Sequence, residues 1–230
     1  MKLPYDVTSP LIIVCGHFGS GKTNVSVALA LALKKAGKEV SLIDLDIINP
    51  YFRAADAEEL MKENNIRCIN PEFANTNVDV PVIGPEVASV FVEAKKTGRV
   101  AIFDVGGDNG AAALGKYKND FLEVGYDMLC VVNKYRPLTE TPELAAEGLR
   151  EIEYYSRLRC THIVNNSNIG KETDREYVEG SFEYADEISR LTSLPLAFTS
   201  VVRSDFTDGL IADYPEKNVF TINDTTKKLF

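Results

Sequence analysis

The chain has 230 residues, 45% hydrophobic and 26% charged, with a net charge of −9. That size and composition fit a globular α/β protein whose core needs neither disulfides nor structural metal. The acidic balance and the lack of a long basic stretch argue against nucleic acid as a global partner. The N-terminal MKLPYDVTSP lacks a signal-peptide apolar core. No run approaches the roughly 20 apolar residues that span a bilayer. The C-terminal VFTINDTTKKLF is too short and too weakly amphipathic for an anchor, so a cytoplasmic protein with no membrane partner is expected.

In chain order, LIIVC (11–15) reads as a buried strand followed by a helix to about Lys35, with Gly37 as terminator. EVSLIDLD (39–46) is the next strand. A helix over 54–65 and a short strand over 66–70 follow. Pro85 opens a helix to about Thr97, closed by Gly98. RVAIFDV (99–105) is a strand, 109–123 an interrupted helix, and DMLCVVN (127–133) another strand. Thr141 caps a helix through about Ser156 with Pro142 at its first position. CTHIVN (160–165) is a strand, a helix runs from about Asp174 to Thr192, and LPLAFTSV (194–201) is a strand. NVFTIN (218–223) reads as an edge strand. Continuous Val/Ile/Leu strands separated by helices predict a mainly parallel sheet covered on both faces, in a single domain over 1–230. Such sheets bind ligands at the carboxyl ends of their strands.

After the first strand comes GHFGSGKT, Gly16 to Thr23, which fits G-x-x-x-x-G-K-[ST] at every fixed position. Glycines let main-chain N–H groups turn inward around phosphate oxygens. The helix that follows aims its positive end at the same charge. Lys22 would reach the β and γ phosphates, and the Thr23 hydroxyl would hold Mg²⁺. The candidate nucleotide site is therefore Gly16, His17, Phe18, Gly19, Ser20, Gly21, Lys22, Thr23 and Asn24. A dinucleotide G-x-G-x-x-G does not fit, because the glycine spacing is G-x-x-G-x-G.

After the second strand comes DLDIINPYFR. Asp44 and Asp46 share a strand face and suit Mg²⁺ or an attacking water. The competing role for Asp46 is a turn before Asn49-Pro50. DVGGDNG follows the strand 99–105. Asp104 ends an apolar run where a lone carboxylate is costly, and Gly107 leaves the backbone free to approach a γ-phosphate. Asn133 in VVNKYRP and Asn165 and Asn166 in IVNNSN offer amides to a purine edge or act as turn formers. NKYR is similar to the guanine signature N-K-x-D, but Arg136 replaces the aspartate that accepts the guanine protons. Adenine is the preferred base.

The four cysteines, Cys15, Cys68, Cys130 and Cys160, lie in or beside apolar runs without metal-ligand spacing and read as buried thiols.

GHFGSGKT, SLIDLDIINPYFR, VAIFDVGGDNGA and THIVNN, in this order, resemble the MinD/ParA-like P-loop ATPases over nearly the whole chain. The resemblance implies a P-loop NTPase fold, a three-layer sandwich with a parallel sheet of seven or eight strands, and binding of Mg-ATP and ADP. It implies that Lys22 and Thr23 hold phosphate and metal and that Asp46 orders the hydrolytic water. Asp104 would hold the metal through water, and Asn165 would face adenine with VVRSD beside it. The family's second loop residue is usually a lysine that reaches across a dimer. His17 cannot supply a permanent charge, which weighs against an ATP-sandwich dimer, although a homodimer stays open and Arg53 is a candidate replacement. Two functions lead at this point, ahead of a nucleotide-binding protein without useful turnover. One is a slow ATPase switch acting on a protein partner. The other is an ATP-dependent ligase or kinase, with NPYFR gripping a small anionic acceptor.

Overall fold

The run Leu11–Cys15 forms a strand, β1, buried on both faces, because none of its side chains gains by meeting water. The computed structural model describes residues 3–45, 55–69, 85–106 and 108–223 and builds an eight-stranded sheet around β1. The other strands are β2 (Val40–Asp44), β3 (Arg67–Ile69), β4 (Val100–Asp104), β5 (Tyr126–Val132), β6 (His162–Asn165), β7 (Leu196–Val202) and β8 (Val219–Ile222). Their order is β3-β2-β4-β1-β5-β6-β7-β8, and every pairing is parallel.

Strand alternation sorts the core into two layers. Leu11, Ile13 and Cys15 join a cluster with Phe103, Met128 and Ile163. Ile12 and Val14 join the opposite one with Ile102, Leu129 and Phe198. Helices α1 (Lys22–Lys35) and α2 (Ala55–Glu63) cover the second cluster through Val25, Leu29, Leu33 and Met61. The first cluster is covered by α3 (Pro85–Thr97), α4 (Asp108–Leu114), α5 (Lys118–Val124), α6 (Pro142–Ser156) and, beyond α7 (Arg175–Glu179), by α8 (Phe182–Thr192). This is a three-layer α/β sandwich with eight strands, all parallel.

Thr141 caps α6, its hydroxyl accepting from the Leu144 N–H at 3.3 Å, with Pro142 in the first turn. The segment 109–123 is interrupted by a 3-10 turn at Gly115–Tyr117. A Cβ on Gly115 would lie 3.3 Å from the Tyr155 carbonyl oxygen of α6.

The single helix expected from Asp174 to Thr192 is two helices. Ser181, between α7 and α8, donates its hydroxyl to the Val178 carbonyl at 2.6 Å and accepts from Asn165 Nδ2 at 2.9 Å. A short helix that the sequence did not announce, α9 (Thr207–Asp213), follows β7. No described helix is long and apolar enough to cross a membrane.

Candidate functional site

The carboxyl end of β1 feeds a tight loop from Gly16 to Gly21 that runs directly into α1. Its geometry demands glycine at both ends. Gly16 has φ +146° and Gly21 φ +87°. A Cβ on Gly16 would lie 2.3 Å from the Val131 carbonyl oxygen, and one on Gly21 would lie 2.2 Å from Asn166 Nδ2. Any side chain would meet both strain and collision there.

Inside the turn, the Ser20 N–H returns to the His17 carbonyl at 3.2 Å. Lys22 Nζ donates to that same oxygen at 2.9 Å, so the buried lysine is folded over the loop it belongs to. Gly21 is the N-cap of α1 and provides no side-chain cap. The helix therefore starts without a side-chain cap, as an anion-binding helix N-terminus does. The Ser20 hydroxyl is buried and has no hydrogen-bond partner among the described residues. Thr23 and Asn24 occupy the first turn of α1, both half-buried.

Asp44 and Asp104 are register partners at the ends of β2 and β4, 7% and 3% exposed. Asp104 Oδ1 accepts from the Ser26 hydroxyl at 3.2 Å, and the Thr23 hydroxyl bonds the same carboxylate. Burial first, and the negative charge of Asp44 second, push the Asp104 carboxyl up to about 6. Thr23, Lys22 and Ser26 oppose that rise. Two buried carboxylates beside a threonine hydroxyl make an all-oxygen donor set. Such a set fits a hard divalent cation such as Mg²⁺, which would relieve the repulsion between the two acids. Asp46, Gly107 and Arg53 lie outside the described residues.

His17, the unusual second residue of the loop, packs on α6. A Cβ on Gly148 would sit 1.8 Å from His17 Nε2, so the imidazole fills the notch that this glycine leaves. Phe18 is 62% exposed. On Gly19 (φ +77°) lies Arg136, from the segment after β5, whose Nε donates to the Gly19 carbonyl at 3.0 Å.

The asparagines after β5 and β6 form one buried network. Asn166 Nδ2 donates to the Ser20 carbonyl at 2.6 Å, and its Oδ1 accepts from the Ser200 hydroxyl at 2.7 Å. Asn166 is thus a strut between β7 and the phosphate loop. Asn133 Nδ2 donates to the Asn168 carbonyl at 3.1 Å, and its Oδ1 accepts from the Tyr135 N–H at 2.9 Å.

Asn165 was expected to present its amide to a purine. Instead its Nδ2 donates to Ser181 and its Oδ1 accepts from Ser167, at 2.6 Å from the hydroxyl and 3.2 Å from the N–H. Its next neighbours, Asn166, Ser167 and Asn168, line a recess of about 140 Å³ together with Lys171, Arg203 and Ser204. VVRSD therefore stands beside this recess. A larger hollow of about 550 Å³, around Glu39, Arg67, Glu93 and Arg99, opens at the amino ends of β2–β4, away from the loop. Its charges pair with one another.

Linear spacing gave no sign of two further features. Cys15, Cys130 and Cys160 are buried and bring their sulfurs within 4.8 Å of one another, while Cys68, expected to be buried, is only half-buried. Arg136 was noticed only as a missing aspartate. Neither feature leaves a motif, because each is assembled from separate strands.

Comparison with known proteins agrees with this geometry at the level of fold. The ParA family model, described as NUBPL iron-transfer P-loop NTPase, matches residues 6–87, which hold the loop and the DLD segment. Curated proteins give no match. Chloroplast FtsY from Physcomitrella patens aligns with a TM-score of 0.59 at 15% identity, covering 88% of this chain and 62% of that one. FtsY from Mycoplasma mycoides aligns at 0.56 and 16% identity, covering 91% and 68%. A nucleotide-binding protein from Archaeoglobus fulgidus, solved in complex with ADP, aligns at 0.51 and 19% identity, covering 87% and 84%.

Proposed function

We propose that this protein binds Mg-ATP in the Gly16–Thr23 loop and hydrolyses it slowly, as a nucleotide-dependent switch acting on a protein partner. The observation that carries the reading is the uncapped start of α1 beneath a glycine loop, with Lys22 folded over it and the Asp44–Asp104 pair beside Thr23. Main-chain N–H groups and Lys22 bind the β and γ phosphates. In doing so Lys22 exchanges the His17 carbonyl for phosphate oxygen. Thr23 and Asp104 would hold Mg²⁺, which supplies charge neutralisation between the phosphates. Asp46 orients the attacking water. The recess at Asn166–Asn168 and Arg203–Ser204 receives the base. In that role Asn165 acts from behind, holding Ser167 in place. Binding is transmitted by Asn166, because the Ser20 carbonyl it grips belongs to the phosphate loop and the Ser200 hydroxyl to β7.

The test is titration calorimetry with ATP, ADP and GTP, each with and without Mg²⁺, on the wild type and Lys22→Ala. Micromolar affinity for ATP that is lost in the variant is expected. Retention of that affinity by Lys22→Ala would refute the site.

A further inference from the structure

We propose that Arg136 is a catalytic cation of the phosphate site, supplied by the same chain and directed at the γ-phosphate of the bound nucleotide. This inference rests on the reading of the loop as an ATP site.

Three observations carry it. First, Arg136 is fastened to the loop itself. Its Nε donates to the Gly19 carbonyl at 3.0 Å, and its Cδ and Nε would lie 3.6 Å from a Cβ on Gly19. A guanidinium held through Nε keeps its two terminal nitrogens for a second acceptor, which is the geometry in which arginine grips phosphate. Second, no carboxylate pairs with Arg136 among the described residues, although the chain has 34 acidic side chains. Arg67, Arg99, Arg159, Arg175, Arg190 and Arg203 each have one within 4.0 Å, whereas Arg150 and Arg157 share the unpaired state of Arg136 among the described residues. Of these three arginines, Arg136 is the one that bonds the phosphate loop among the described residues, where a ligand anion would be within its reach. Third, the His17 ring is packed into the Gly148 notch of α6, so Arg136 is the long cationic side chain laid on Gly19.

The segment that presents Arg136 is rigid enough for the task. The Arg136 N–H donates to the Asn133 carbonyl at 3.2 Å, and the Arg136 carbonyl accepts from the Thr139 N–H at 2.9 Å. The Thr139 hydroxyl donates to the Asn133 carbonyl at 2.6 Å. During hydrolysis the water oxygen bonds to the γ-phosphorus while the bond from phosphorus to the β–γ bridging oxygen breaks. ADP leaves with that electron pair, and the water proton passes to the departing phosphate. Negative charge shifts within the phosphoryl group throughout, and a guanidinium at the loop stabilises that arrangement more than the ground state.

Arg136→Ala and Arg136→Lys are compared with the wild type by steady-state hydrolysis, by ADP calorimetry, and by ADP binding with aluminium fluoride as transition-state mimic. Arg136→Ala should lower kcat on the order of 10²-fold while leaving ADP affinity within about threefold. It should also abolish the tightening that aluminium fluoride gives the wild type, and Arg136→Lys should recover part of both. Unchanged kcat and an unchanged aluminium fluoride effect in Arg136→Ala would overturn the proposal. Equal loss of ADP and ATP binding would also overturn it, since the residue would then only shape the loop. If the wild type binds no nucleotide, the proposed function itself falls, an outcome distinct from the other two.

Discussion

Replacing Asp104 by asparagine should stabilise the protein in the absence of ligand, against the usual expectation for a buried polar residue. The Asp104 carboxyl is displaced from 3.8 to about 6, chiefly by burial and then by Asp44. At about 1.4 kcal/mol per pH unit, keeping it ionised at neutral pH opposes folding by about 3 kcal/mol. The folded protein keeps this proton until about pH 6, whereas the unfolded chain releases it near 3.8. The favourable contribution is therefore whole below 3.8 and is lost as pH rises through 6. Asparagine retains an acceptor for the Ser26 hydroxyl and removes the charge. Urea unfolding at pH 7.5 should show Asp104→Asn more stable by up to about 3 kcal/mol, with the difference shrinking toward zero near pH 4. Mg-ADP should then raise the melting temperature of the wild type more than that of the variant. Equal stability at pH 7.5, or an undiminished gain at pH 4, would refute the reasoning.

Gly148→Ala should force the His17 ring out of its notch and destabilise the fold by about 1–3 kcal/mol in thermal or urea melts. Adding His17→Ala to the same chain should restore most of that loss. Asn166→Ala removes the donor to the Ser20 carbonyl and leaves the Ser200 hydroxyl only the Asn165 carbonyl at 3.4 Å, and should cost about 1–3 kcal/mol, with weaker ATP binding by calorimetry. Asp127→Ala should destabilise by a similar amount, because Asp127 accepts from the Thr8 N–H at 3.0 Å, the Thr8 hydroxyl at 2.6 Å and Tyr5 at 3.5 Å. Limited proteolysis of that variant should cut first near Thr8.

The parallel sheet was legible because LIIVC, VAIFD and MLCVV are continuous apolar runs, a pattern only doubly covered strands require. The loop was legible because G-x-x-x-x-G-K-T packs its chemistry into consecutive residues. What escaped depends on contacts distant in sequence. Ser181 interrupts an otherwise good helical pattern because it is needed by Asn165, a strand away. α9 is too short for a 3.6-residue period to register. Asn165 and Asn166 look alike in the sequence, and only their partners separate the loop strut from the buried brace.

The gap between α7 and α8 has a mechanical consequence. Because the Ser181 hydroxyl donates to the Val178 carbonyl of α7 and accepts from the Asn165 amide at the end of β6, α7 is tied to the edge of the Asn166–Ser204 recess. Val178 of α7 lines that recess. A base seated in that recess, as proposed, would press on α7 through Val178. An alanine at position 181 would cut that tie and leave the two helices free to merge into a single rod.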